Sequence, residues 1–234
     1  MKKTFFIPPI SVKIYLDPLT GGMNMNKIIT IGREFGSGGR ELGRRLSERL
    51  GFAYYDQEVI SEIAKKTSLS EQYVQNVVEH NPFISFPIHV GMSFYNTNAS
   101  YVLDSHREIY AEQDRIIKEM AAKSDCVIVG RCADYILEEE HPFRIFVYAD
   151  MDSKVKRCRA KGKEHEELSD KELMQHIKRM NRNRAKYYDF YTGKAWGDKL
   201  NYDLMINSTN VEIKDIASHL AVFLADTMGV ELQK

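Results

Sequence analysis

The stretch IITIGREFGSGGRELGRRL, residues 28–46, decides how the rest of the chain is read. An apolar run, Ile28 to Ile31, leads through Gly32 and Arg33 into Gly36, Ser37, Gly38 and Gly39. Beyond them Leu42, Leu46 and Leu50 recur at spacing four, the stripe of a helix with one buried face. The order is strand, glycine turn, helix. At such a junction the unpaired N–H groups of the first helical turn converge and the helix dipole adds partial positive charge, which suits a phosphate. Glycine lets the backbone come close and take positive φ. The residues expected to form this cradle are Gly36, Ser37, Gly38, Gly39, Arg40 and Glu41. The pattern GxxxxGK[ST] is not met, since Gly39 stands where the lysine would be and Arg40 where the hydroxyl would be. A turn rich in glycine for purely structural reasons is the alternative reading.

Outward from this stretch, short apolar runs alternate with amphipathic helical stretches, which predicts one parallel sheet covered by helices. Strands are expected at 27–32, 126–130, 143–148 and 202–207, with a weaker one at 52–55. Several are apolar on both faces, as buried parallel strands are. Helices are expected at 39–50, 57–67, 70–79, 104–123, 131–139, 151–160, 169–188 and 211–227. Residues 81–105, with two prolines, many aromatics and no period, read as a loop or irregular flap. The convincing pattern starts near Lys27, so residues 1–24 are expected to be a loose extension and 25–234 the domain. Pro8 and Pro9 interrupt the apolar run at the N-terminus, and no small-residue cleavage site closes it, which argues against a secretory signal.

Composition narrows the partners. Lys plus Arg (33) balances Asp plus Glu (33), so no overall field draws the molecule to nucleic acid or to an anionic membrane. Any anion site must be local. Cys126, Cys132 and Cys158 are odd in number and not in CxxC spacing, which fits reduced thiols in a cytoplasmic protein. The seven histidines show no ligand spacing, and no metal-binding residues are assigned.

Arginines elsewhere can supply what the loop lacks, because phosphoryl transfer requires positioning and charge neutralisation more than covalent chemistry. Arg33 and Arg40 flank the glycines, Arg131 follows the strand at 126–130, and Arg182 and Arg184 lie in a basic helix with Lys178, Arg179 and Lys186. Arg131 is the strongest candidate, since open α/β sheets place ligands at the carboxyl ends of their strands. Its alternative is a surface charge at a helix start. Asp56 holds a similar strand end and suits the N-cap of 57–67 equally well. Tyr187, Tyr188, Tyr191 and Trp196 could stack on a base or pack against the core.

GREFGSGGRELGRRLSERLGFAYYDQEVI, CVIVGRCADYIL and RNRAKYYDFYTGKAWGDKLNYDLMINS, in that order, resemble the cytidylate kinase-like family of the P-loop nucleoside monophosphate kinases. The resemblance spans 26–228 and implies an adenylate-kinase-like α/β fold: five parallel strands, helices on both faces and a helical lid. It implies ATP as donor, Mg²⁺ on the donor phosphates and a nucleoside monophosphate, cytidylate first, as acceptor. It further implies catalytic roles for Arg40, Arg131 and Arg184, and donor contacts from residues 36–41 and Arg182. Acceptor contacts from Arg33, Asp56, Arg131 and Asp134 are implied, Asp56 touching substrate or a magnesium-bound water. Where relatives carry Gly-Arg-Asp this chain has Cys132 in place of the aspartate, and Asn181 stands where relatives tend to have aspartate. A monomer or homodimer is expected. The competing expectations are a nucleotide-binding sensor with little turnover and a kinase for a different small hydroxyl substrate.

Overall fold

The computed structural model describes residues 26–75, 77, 97–160 and 167–233. Five parallel strands, β1 (Ile28–Arg33), β2 (Ala53–Tyr55), β3 (Cys126–Val129), β4 (Phe143–Tyr148) and β5 (Leu204–Asn207), form one sheet in the order β2-β3-β1-β4-β5. β1 is central and buried throughout. Its register sets Ile31 beside Val129 on one side and Arg33 beside Val147 on the other, so the carboxyl ends of β1, β3 and β4 share one edge.

Helices α1 (Gly39–Leu50) and α8 (Ile213–Met228) cover one face, against Ile29, Ile31, Val127, Val129, Ile145 and Val147. Leu42, Leu46 and Leu50 are buried there, each worth about 1.5–3 kcal/mol relative to exposure. The alternate strand residues Ile28, Cys126 and Ile128 face α2 (Gln57–Thr67), α4 (Thr97–Lys123), α5 (Ala133–Ile136) and α7 (Asp170–Thr192). A short α3 (Glu71–Gln75) follows α2. Helix α6 (Met151–Ala160) packs with α7 through Val155, Cys158, Leu173 and Ile177. Ser169 opens α7 with a capping box closed by Glu172, worth about 1 kcal/mol. No helix among the described residues is long and apolar enough to cross a membrane.

The weak run at 52–55 forms the edge strand β2, and helices cover both faces as expected. Two expectations are corrected. The flap expected over 81–105 is helical from Thr97 onward, as the start of a 27-residue α4. The helix expected over 131–139 is broken, because Gly130, Arg131 and Cys132 are all left-handed, with φ of 73°, 62° and 54°. α5 starts only at Ala133, and Glu138–Glu140 forms a separate 3-10 turn. Residues 1–24, the remaining part of the flap, part of the helix expected over 70–79 and residues 161–166 lie outside the described residues.

Candidate active site

The chain leaves β1 through Arg33 and turns through Glu34–Gly38 into α1. Gly38, the N-cap, has φ 88°, open to glycine at no steric cost. Its neighbours hold the turn from both sides. The Phe35 N–H donates to Asn181 Oδ1 on α7 at 2.7 Å, and the Ser208 hydroxyl beyond β5 donates to the Ser37 carbonyl at 2.7 Å. Ser37 is buried, its own hydroxyl donating to the Glu34 carbonyl at 2.8 Å. Among the described residues the N–H groups of Gly36 and Gly38 meet no acceptor. These two donors at the positive end of α1 form an anion nest.

Arg33 does not stay with β1. A Cβ on Gly130 would lie 1.5 Å from Arg33 Nη1, so the guanidinium reaches the end of β3 into space that the glycine leaves open. Its Nη2 is 3.6 Å from Asp56 Oδ1 at the end of β2, and Arg40 Nε at the start of α1 is 2.5 Å from Asp56 Oδ2. Arg33 therefore bridges the ends of three neighbouring strands. Asp56 immediately precedes α2, but its carboxylate makes no capping bond and pairs with the two arginines instead.

Arg131 is buried in the left-handed turn that follows β3. Left-handed non-glycine residues cost roughly 1–2 kcal/mol each, so Arg131 and Cys132 are held by their surroundings. Gln113, fully buried on α4, donates to the Arg131 carbonyl at 2.9 Å and accepts from the Tyr187 hydroxyl at 3.1 Å. Burial pushes the Cys132 thiol above its usual pKa, so it packs as a small apolar side chain. Next to it Asp134 is buried, accepts from the Tyr188 hydroxyl at 2.7 Å, and has its pKa raised by desolvation.

One pocket collects these groups. Arg33, Arg131 and Arg184 line it with Asp134, the one carboxylate there among the described residues, and Trp196 and Tyr202 form an aromatic wall. Arg184 reaches in from α7, donating to the Arg33 carbonyl at 3.1 Å and lying over the Phe35 ring. Three arginines against one carboxylate leave the lining with an excess of positive charge, which suits a compact dianion. A second pocket, on the far side of Asp56, is lined by Arg40, Glu41, Arg44, Tyr54, Gln57 and Glu58.

A model of the cytidylate kinase-like family matches residues 28–210. The chain belongs to the cytidylate kinase-like family. An uncharacterized protein from Eubacterium ventriosum ATCC 27560 is 26% identical, with 85% of this chain and 98% of that chain covered and a TM-score of 0.61. The shikimate kinase from Bacteroides thetaiotaomicron is 15% identical over 87% of this chain and 99% of that one, with a TM-score of 0.52, a likeness of fold. No curated protein matches. The fold is that of the P-loop kinases.

In this family member, the structure brings Arg33, Arg131, Asp134 and Arg184 together in one pocket and sets Asp56 and Arg40 at its edge. Arg182 does not join them; it is exposed on α7, as are Lys178, Arg179 and Lys186, which form a solvated face. The Glu41 carboxylate is engaged by Arg45 one turn along α1, at 3.0 Å. Tyr187 and Tyr188 are buried and bonded as well as lining the pocket. Sequence reasoning passed over Gln113, Lys154 and Arg157. Gln113 and Arg157 act through partners 18 to 74 residues away, with no local signal.

Proposed function

We propose that this chain is a phosphotransferase that moves a phosphoryl group from ATP to a small phosphorylated acceptor, a nucleoside monophosphate with cytidylate first. The observation that carries the reading is the pocket lined by Arg33, Arg131 and Arg184, at the strand edge from which β1 runs on through the glycine turn into α1. A phosphate acceptor is already deprotonated near neutral pH, so attack on the donor requires no general base. It requires two anions brought together and their repulsion neutralised. Arg131 and Arg33 would hold the acceptor phosphate, with the aromatic wall beside it for a base. Gly36 and Gly38 would hold the donor phosphates, and Arg184, on α7 between the two, would take charge developing on the transferring group.

Mg²⁺ supplies charge neutralisation on donor phosphates and keeps much of its water shell, so few protein ligands are required. Asp56 suits a contact through that shell, since its buried Oδ1 accepts no hydrogen bond. Residues 25–234 are proposed as the working unit, in a reducing compartment.

A sensor that binds nucleotide without turnover is the second reading, favoured by the absence of a lysine in the glycine turn. Titrating ATP and each common monophosphate into the protein, with a coupled assay of ADP release for each pair, separates the two. Turnover with a monophosphate supports the kinase; ATP binding with no acceptor and no turnover supports the sensor.

A further inference from the structure

A lysine does stand against the loop, on another element. Lys154 of α6 is only 6% exposed, and it forms the wall behind Gly36. A Cβ on Gly36 would lie 3.0 Å from Lys154 Cβ and 3.1 Å from its carbonyl oxygen. Its ammonium ends 2.8 Å from Glu34 Oε2, inside the same turn. Taking the ammonium out of water carries a desolvation cost, and an apolar pair of equal volume is often as stable or more so. Stability therefore gives little reason for a buried lysine paired with a partly exposed glutamate at this place.

Building on the kinase reading, we propose that Lys154 supplies from α6 the phosphate-binding ammonium that the loop itself lacks, with Glu34 as its counter-ion until phosphate arrives. The loop has no room for its own. A Cβ on Gly39 would sit 2.5 Å from Arg33 Cβ. An ammonium is a compact point charge on a flexible stem and requires no fixed approach direction, so it can serve a phosphate from a neighbouring helix as well as from the loop. Glu34 is placed to release it. Its Oε2 also lies 3.3 Å from the Ala149 N–H, which donates to it, and that partner stays when the ammonium leaves. Arg157, one turn along α6, is anchored away from Glu34, its Nη2 donating to the carbonyls of Ser208 and Val211 while its buried Nη1 meets no acceptor among the described residues.

The test is calorimetric titration of ATP and of inorganic tripolyphosphate into the full chain and into Lys154→Met, Lys154→Arg and Glu34→Gln, each first checked for a cooperative melt. Lys154→Met is expected to weaken both ligands at least tenfold, Lys154→Arg by less, and Glu34→Gln to keep or raise both affinities. ATP bound equally by wild type and Lys154→Met overturns the role of Lys154 and leaves the kinase reading standing. Equal losses in Glu34→Gln and Lys154→Met overturn it too, since the pair would then be structural. If Lys154→Met does not melt cooperatively, a loss of affinity in Glu34→Gln overturns it. A wild-type chain that binds neither ligand removes the kinase reading and this one with it.

Discussion

Gly39→Lys writes the missing lysine into the loop, and the structure predicts that it damages the protein instead of repairing it. The new Cβ would meet Arg33 Cβ at 2.5 Å, Arg33 Cγ at 3.1 Å and Val147 Cβ at 3.4 Å. Carbon pairs are at their best near 3.5–4.0 Å, so the first contact is short by about an ångström. Arg33 Cβ cannot yield, because β1 is clamped by β3 and β4 and Arg33 itself is in register with Val147. Overpacking of this kind costs about 1–3 kcal/mol, and replacing a helical glycine returns about 1 kcal/mol at most. The net loss is about 0–2 kcal/mol, which for a domain of this size lowers the melting temperature by up to about 8 °C. Gly39→Ala carries the same Cβ without the charge and should lose about as much. Thermal melts of the two variants beside wild type give the comparison, with ATP titrations alongside. A Gly39→Lys variant that melts at or above the wild-type temperature and binds ATP more tightly would refute the argument.

Arg131→Ala removes a charge-assisted pair to the acceptor, typically about 2–5 kcal/mol when the partner charge is buried, so monophosphate affinity should fall more than tenfold while ATP affinity changes little; equal loss of both ligands would count against the assignment. Arg184→Ala should lower turnover more than acceptor affinity, because charge on the transferring group develops only in the transition state; a steady-state comparison showing KM alone raised would contradict that. Burial raises the Asp134 carboxyl, so its stability contribution is complete below the ordinary carboxylate pKa of about 4 and is lost as pH rises through the raised value. Asp134→Asn, which keeps an acceptor for Tyr188, should therefore melt higher than wild type at neutral pH, with the gap closing in acid. A gap that does not change with pH would show that desolvation of the carboxylate is not the cause.

The parts legible in the sequence are those where one periodicity governs. The spacing of Leu42, Leu46 and Leu50 placed α1 to the residue, and strands apolar on both faces announced a covered parallel sheet. Arg131 was legible because a strand end is a place that can be read off the chain. What stayed hidden is set by contacts remote in sequence or by backbone shape. Nothing local marks Gly130, Arg131 and Cys132 as consecutive left-handed residues, so the helix was expected to run straight through them. The first turns of α4 lack a clear apolar stripe, and aromatic residues before them suggested a loop. Lys154 sits in KVKRCRAKGK, where one buried lysine is indistinguishable from its solvated neighbours until Glu34 is brought to it. Arg182 and Arg184 differ only by the helix face on which each falls.

Because Arg33 lines the first pocket while pairing with Asp56 at the mouth of the second, the two pockets share a counter-charge. A dianion in the first competes with Asp56 for Arg33 and leaves that carboxylate to Arg40, which makes the second pocket more attractive to a cation. Thermodynamic linkage makes the effect mutual, so a cation engaging Asp56 tightens anion binding on the other side by the same factor. With an anion in one pocket and a cation in the other, a single side chain laid across three strand ends would be the element through which each site registers the charge of its neighbour.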